Sequence, residues 1–204
     1  MTIFLFLIFV VVFAALMSKG GGWDNLLTWV NMIVAGLFAM NYFEPLADYL
    51  SGVMKDFHWY WDFLAFWAVF SVAMILLKAF TDGLSKIRVK FRVPVEWGVR
   101  GVFSLLCAWT MICVVTFSLH LAPVQMVAWN EGFMTKPDDT HFMGADRDWM
   151  SFAHKMSNPD AGSLSKDEQH VFDQDGVFRV KYALRRYRHE LLPQGATKGP
   201  MPLP

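Results

Sequence analysis

Four long apolar runs constrain this chain more than any other feature. Thr2 to Met17 carries no charge and is extended by Ser18 before Lys19. Leu26 to Phe43 is interrupted only by Thr28, Asn31 and Asn41. Trp59 to Phe80 has Asp62 near one end and Lys78 near the other, and Val99 to Leu121 has Arg100 at its start and His120 at its end. About 20 mostly apolar residues suffice to cross the hydrocarbon core of a bilayer. Within that core a helix satisfies every backbone polar group by itself. The expected fold is therefore an all-α membrane protein with four transmembrane helices within residues 1–121. The first run is short, but Lys19 can snorkel to the interface. Nothing charged precedes it, which sets it apart from a cleaved signal peptide.

The charges are unevenly placed. Residues 1–121 hold 15 charged side chains and residues 122–204 hold 21. The second part is thus expected to be a small extramembrane tail over 122–192, of mixed structure with short helices, followed by a disordered end over 193–204. Zero net charge removes a whole-protein electrostatic case for nucleic acid. Cys107 and Cys113 are six positions apart on different helical faces, so neither a shared disulfide nor a shared metal is expected.

Orientation follows from the basic residues of the short loops. Lys78, Lys86, Arg88, Lys90, Arg92 and Arg100 cluster around the third connection, whereas the first and second connections hold only Lys19 and Lys55. The third connection is expected in the cytoplasm, and both termini on the other side. Trp23, Trp59, Trp61, Trp97 and Trp129 stand at or near the expected helix ends, where indoles favour the interface.

From Lys86 to Val93 basic and apolar residues alternate. In an extended segment Lys86, Arg88, Lys90 and Arg92 share one side, and Pro94 is expected to stop any helix and hold Val93 extended. Such a segment serves as a topogenic loop or meets anionic headgroups. Gly98, Gly101, Ser104 and Ala108 recur at helical spacing, as do Ala35 and Ala39 beside Gly36. Small residues let helix backbones approach closely, within one chain or between copies. Asn31 and Asn41 fit hydrogen bonding between helices. Asp62 and Lys78 read as border residues that reach the interface.

In the tail, Trp149, Phe152, Ala153 and Met156 are spaced for a helix over 146–157, ended by Asn158-Pro159. Ser165 and Glu168 form a capping box for a second helix. Asp173 to Gly176 reads as a turn. Phe178 to Leu184 alternates like a strand, yet Val180, Leu184, Tyr187 and Leu191 also fit a helix. No cofactor or metal site is expected, because the histidines lack ligand spacing. No local signature makes Ser151 or Ser163 a nucleophile.

The front of the chain resembles the colicin V production protein family of bacterial inner-membrane proteins. The likeness lies in the short uncharged first helix, the turn Gly20 to Asp24, Glu44-Pro45-Leu46 after the second helix, and the aromatic run Phe63 to Phe80. Thr81 to Lys86 and the glycines Gly98 and Gly101 complete it. The arginine that often stands among the glycines of the first turn in that family is absent here. Ala145 to Trp149 and Phe178 to Arg186 resemble an accessory extension. The resemblance implies a multi-pass protein of the bacterial inner membrane, for which the loop charges put both termini in the periplasm. It further implies a non-enzymatic part in toxin production, secretion or envelope upkeep, with partners among transport or envelope proteins or further copies of the chain. The alternative is an oligomeric channel or a small-solute transporter subunit, which needs a polar path.

Overall fold

The computed structural model describes residues 2–19, 21–54, 59–85, 92–122, 142–158, 171–173 and 175–191. Among these every regular element is helical: α1 (Thr2–Lys19), α2 (Gly22–Val53), α3 (Trp61–Leu84), α4 (Val93–Leu121), α5 (Ala145–Ser157) and α6 (Phe178–Leu191), with a short 3-10 turn at Phe142–Gly144 before α5. Three of them, α2, α3 and α4, are long and apolar enough to cross a membrane; Ile3–Ser18 is a shorter apolar helix. The chain is thus an all-α protein built to sit in a membrane. Its outer surface agrees, since Ile75, Leu76 and Phe80 on α3 and Ile3, Phe6 and Val11 on α1 are large, apolar and exposed.

The helices are longer than their apolar runs. The α2 helix passes through Pro45, which has no N–H to donate to the preceding turn. Its far end nonetheless stays attached, because Phe43 and Ala47 on either side of the proline are buried in the core. The α4 helix opens at Val93, with Arg92 as an extended N-cap and Pro94 in the first turn. Proline belongs there, since the N–H it lacks has no intrahelical partner at a helix start. Pro94 therefore starts the helix, contrary to the expectation that it would stop one.

Side-chain pairs set the register. Gly22 meets Val99, Asn25 meets Ser104 and Trp29 meets Thr110, so α2 and α4 run parallel. Trp23 bonds Ser85, Asn31 bonds Thr81 and Phe43 stacks edge-on to Phe66, so α3 runs antiparallel to α2. The core fills the seam between them with Ala35, Ala39, Phe43, Ala65, Phe66, Phe70, Ile112 and Phe117, and Leu5 of α1 joins it. Trp149, Met150, Phe178 and Tyr182 of the C-terminal helices belong to the same core.

The region expected to be strand or helix, Phe178 to Leu184, is helix in α6. Helical spacing brings Phe178, Tyr182 and Arg185 onto one face toward the bundle, which a strand would scatter. The helix expected over 146–157 is present as α5 and ends at Asn158. The capping box at Ser165 and Glu168, the segment Asp138 to Thr140 and the end 193–204 lie outside the described residues.

Candidate functional site

The feature that sets this molecule apart from a plain helical bundle is the seam where α5 and α6 dock. The α5 helix is stabilised locally by Asp146 and Asp148 in its first turn and His154 and Lys155 in its last, each sign opposing the helix dipole. Before it, Met143 and Gly144 both adopt positive φ, 62° and 83°, which turns the chain sharply into the helix. One face then faces the bundle. Ala145, Asp146, Trp149, Met150 and Ala153 are buried, while Arg147, Asp148, Ser151 and Lys155 remain exposed.

Two contacts fasten α5. The indole of Trp149 lies against Gly36, so closely that a Cβ there would stand 2.4 Å from Cζ2. Asp146 Oδ2 lies 3.1 Å from His120 Nε2, with both side chains essentially sealed from solvent. A carboxylate taken out of water is costly unless paired, and the imidazole N–H supplies that pairing.

A short link binds the end of α5 to the start of α6. His154 Nδ1 donates to the Phe172 carbonyl at 2.8 Å, and the Phe172 N–H donates to Ser157 Oγ at 2.9 Å. Asp173 and Gly176 take positive φ, and the Asp173 carboxylate accepts the Phe178 N–H at 2.9 Å. From there an aromatic chain runs into the bundle: Tyr182 to Phe178 at 4.6 Å, Phe178 to Phe117 at 5.3 Å, and Phe117 to Phe66 at 5.2 Å between centroids.

The outer half of the seam is ionic. Arg185 pairs with Asp62 and lies over the rings of Trp59 and Tyr182. Lys181 Nζ lies 2.9 Å from Glu44 Oε1, which also accepts the Tyr182 hydroxyl at 3.3 Å. Burial, and then the negative charge of Glu44, push the Tyr182 phenol well above the usual tyrosine range. Burial pulls Arg185 down from its ordinary value, against the opposing pull of Asp48 and Glu44. Asp62, at the start of α3, does not extend into solvent; it is buried and held by a side chain 123 positions away.

The residues singled out from the sequence fall into distinct groups. Ala35, Ala39, Ser104 and Ala108 are all buried. Ser104 Oγ accepts from Asn25 Nδ2 at 2.8 Å, a contact between α4 and α2. Among the described residues nothing lies within 4 Å of where a Cβ at Gly98 or Gly101 would stand. Asn31 crosses to Thr81 at 3.0 Å, whereas Asn41 donates to the Leu37 carbonyl of its own helix. Lys78 pairs with Asp82 one turn along α3. Of the basic loop, Arg92 is exposed at the N-cap of α4; Lys86, Arg88 and Lys90 lie outside the described residues. Cys107 and Cys113 are buried and unbridged. Among the described residues no three His, Cys, Asp or Glu side chains converge as for a metal ion.

Sequence reasoning missed four contributors: Asn25, Gly36, the His120–Asp146 pair, and Glu96, whose Oε1 accepts the Gly22 N–H at 2.6 Å and so caps α2 from α4. Asn25 and His120 were readable only as polar residues at the edges of apolar runs, and Gly36 only as a small residue beside Ala35 and Ala39. No family model, curated protein or solved structure matches this chain.

Proposed function

We propose that this chain is a four-span protein of the bacterial inner membrane that acts without catalysis, as a membrane assembly or secretion factor of the kind the colicin V production resemblance implies. The observation that carries this reading is the docked C-terminal pair. Their inner faces complete the bundle core, and α5 turns Arg147, Asp148, Ser151 and Lys155 outward as a polar surface attached to a membrane body. A channel or transporter needs a polar path, yet Asn31 and Asn41 are both engaged in hydrogen bonds. Between α2, α3 and α4 the core is closed by Phe43, Phe66 and Phe117.

In this reading α1 is the first span and Lys19 its snorkelling end. The segment between α3 and α4 is cytoplasmic by the positive-inside rule. The seam is periplasmic, since Asp62 and His120 stand at the helix ends opposite that segment and Glu44 just past the apolar run of α2. Anionic headgroups are the partners of the basic loop.

A photoreactive residue at Ser151, on the outer face of α5, should trap a discrete set of envelope or transport proteins in cells, and the same group at Ile75 on the lipid-facing side of α3 should not. Adducts that are indistinguishable at the two positions, or solute flux by the purified chain in liposomes, would overturn the proposal. Cysteine accessibility at Arg92 and Ser151 from the two sides of the membrane tests the orientation.

A further inference from the structure

The α6 helix has a second face that its docking does not use. Phe178, Tyr182 and Arg185 point into the seam. Val177, Val180 and Leu184, spaced as neighbours on a helical surface on the other side, are 53, 43 and 49% exposed. The helix is also strongly basic, with Arg179, Lys181, Arg185, Arg186 and Arg188 against Glu190 alone.

Its contacts fix its depth. Arg185 pairs with Asp62, the acid just before the apolar stretch of α3, and Lys181 with Glu44, the acid just after that of α2. The helix is therefore held at the level where two apolar spans give way to charge. The tyrosines gather toward the same end of the bundle. All five in the chain, Tyr42, Tyr49, Tyr60, Tyr182 and Tyr187, lie in the second half of α2, the turn before α3, or α6. Tyr42, Tyr49 and Tyr60 are exposed there beside exposed Val53 and Met54. Tyrosine favours the headgroup zone, where its ring is apolar and its hydroxyl is wet. An apolar stripe flanked by basic residues is the pattern of a helix lying in that zone.

We propose that α6 is an interfacial helix whose Val177, Val180 and Leu184 face enters the bilayer beside the bundle, with the basic residues that the seam does not pair on the phosphates of anionic lipid headgroups. The proposal requires only that α2 and α3 span the membrane, and not any particular activity. Two features favour lipid over a protein partner. The stripe lies toward the end of the bundle that carries the exposed tyrosines, and the helix sequence stays net basic beyond its two seam pairs, which suits a phosphate surface.

The test places an environment-sensitive fluorophore at Val180→Cys, Leu184→Cys and Asp175→Cys in the full chain, reconstituted in phosphatidylcholine vesicles with and without phosphatidylglycerol. The unsubstituted chain, with Cys107 and Cys113 buried, gives the background. Emission at positions 180 and 184 should be blue-shifted, quenched by lipids brominated near the headgroup and shielded from aqueous iodide. Position 175, exposed in the turn before α6, should show the reverse. Phosphatidylglycerol should deepen the shift at 184. Iodide quenching at 180 and 184 equal to that at 175 would overturn the proposal by making the stripe water-facing. Shielding from both quenchers would also overturn it, by placing a protein, such as a second copy, over the stripe. A shift indifferent to phosphatidylglycerol would overturn the headgroup assignment.

Discussion

Trp149 of α5 rests on Gly36 of α2, with its Cζ2 2.4 Å from where a Cβ would stand. The glycine thus makes room for the largest side chain of the docking face. Gly36→Ala should push the indole outward and weaken α5 docking by about 1–3 kcal/mol, the usual cost of adding a methyl to a filled site. Gly52→Ala is the control, because nothing lies within 4 Å of its Cβ position. It should be neutral or stabilise the helix by up to about 1 kcal/mol. Thermal unfolding in detergent, followed by tryptophan emission, separates the two outcomes; equal behaviour of both variants would remove Gly36 from its role.

The buried pair His120–Asp146 should show the asymmetry expected of enclosed polar groups. His120→Ala or Asp146→Ala removes one member of a sealed pair and should cost about 3–5 kcal/mol. Replacing both by leucine removes the need for pairing and should cost far less than the sum of the single changes. A double-mutant cycle on unfolding in SDS measures the coupling. An additive cycle would mean that the two side chains do not hold each other.

How much of this was legible in the sequence depends on the kind of force involved. The long helices were legible because hydrocarbon demands apolar side chains over a known length, and Leu26–Phe43 or Trp59–Phe80 state that directly. Their ends were not, because Pro45 and Pro94 break helices only by local rules. Burial of Phe43 and Ala47 overrides the first, and the free first-turn position accommodates the second. Small residues were visible as a pattern, but the pattern is the same where a helix packs on it, as at Ser104, and where nothing among the described residues does, as at Gly98. The seam was the least legible part. Asp146 and His120 are 26 positions apart, and Arg185 and Asp62 are 123 apart. No periodicity connects such pairs; only the tertiary arrangement does. Asp62 and His120 therefore read as ends of spans, although each is a docking point for the C-terminal helices.

The two ion pairs that hold α6 should differ sharply in weight. Asp62 is nearly enclosed beneath Arg185, whereas Lys181 and Glu44 are each about half exposed. Water and salt screen the exposed pair, so Lys181→Ala should cost no more than about 1 kcal/mol and less at high ionic strength. Asp62→Ala removes the nearly enclosed carboxylate beneath Arg185 and should release α6 more fully. Protease sensitivity within α6, compared between the two variants, reads the difference. Equal sensitivity would contradict the burial argument.

Tyr182 gives the seam a dependence on alkaline pH. Burial and the nearby Glu44 hold its phenol above the ordinary value, so the unfolded chain releases that proton first as pH rises. The stabilisation is complete below the unfolded value, about pH 10, and declines above it, because folding then requires the phenol to stay protonated or to ionise beside a carboxylate. At neutral pH Tyr182→Phe removes one hydrogen bond to Glu44, at 3.3 Å, and should cost about 1 kcal/mol. Above about pH 10 the parent chain loses the tyrosine contribution and Tyr182→Phe does not, so their stability difference should shrink and then reverse in sign. Unfolding midpoints of the two proteins from neutral to about pH 11, with tyrosinate absorbance recorded alongside, follow that crossing. A constant difference across the range would mean that Tyr182 titrates like a tyrosine in water and that α6 is not docked through it.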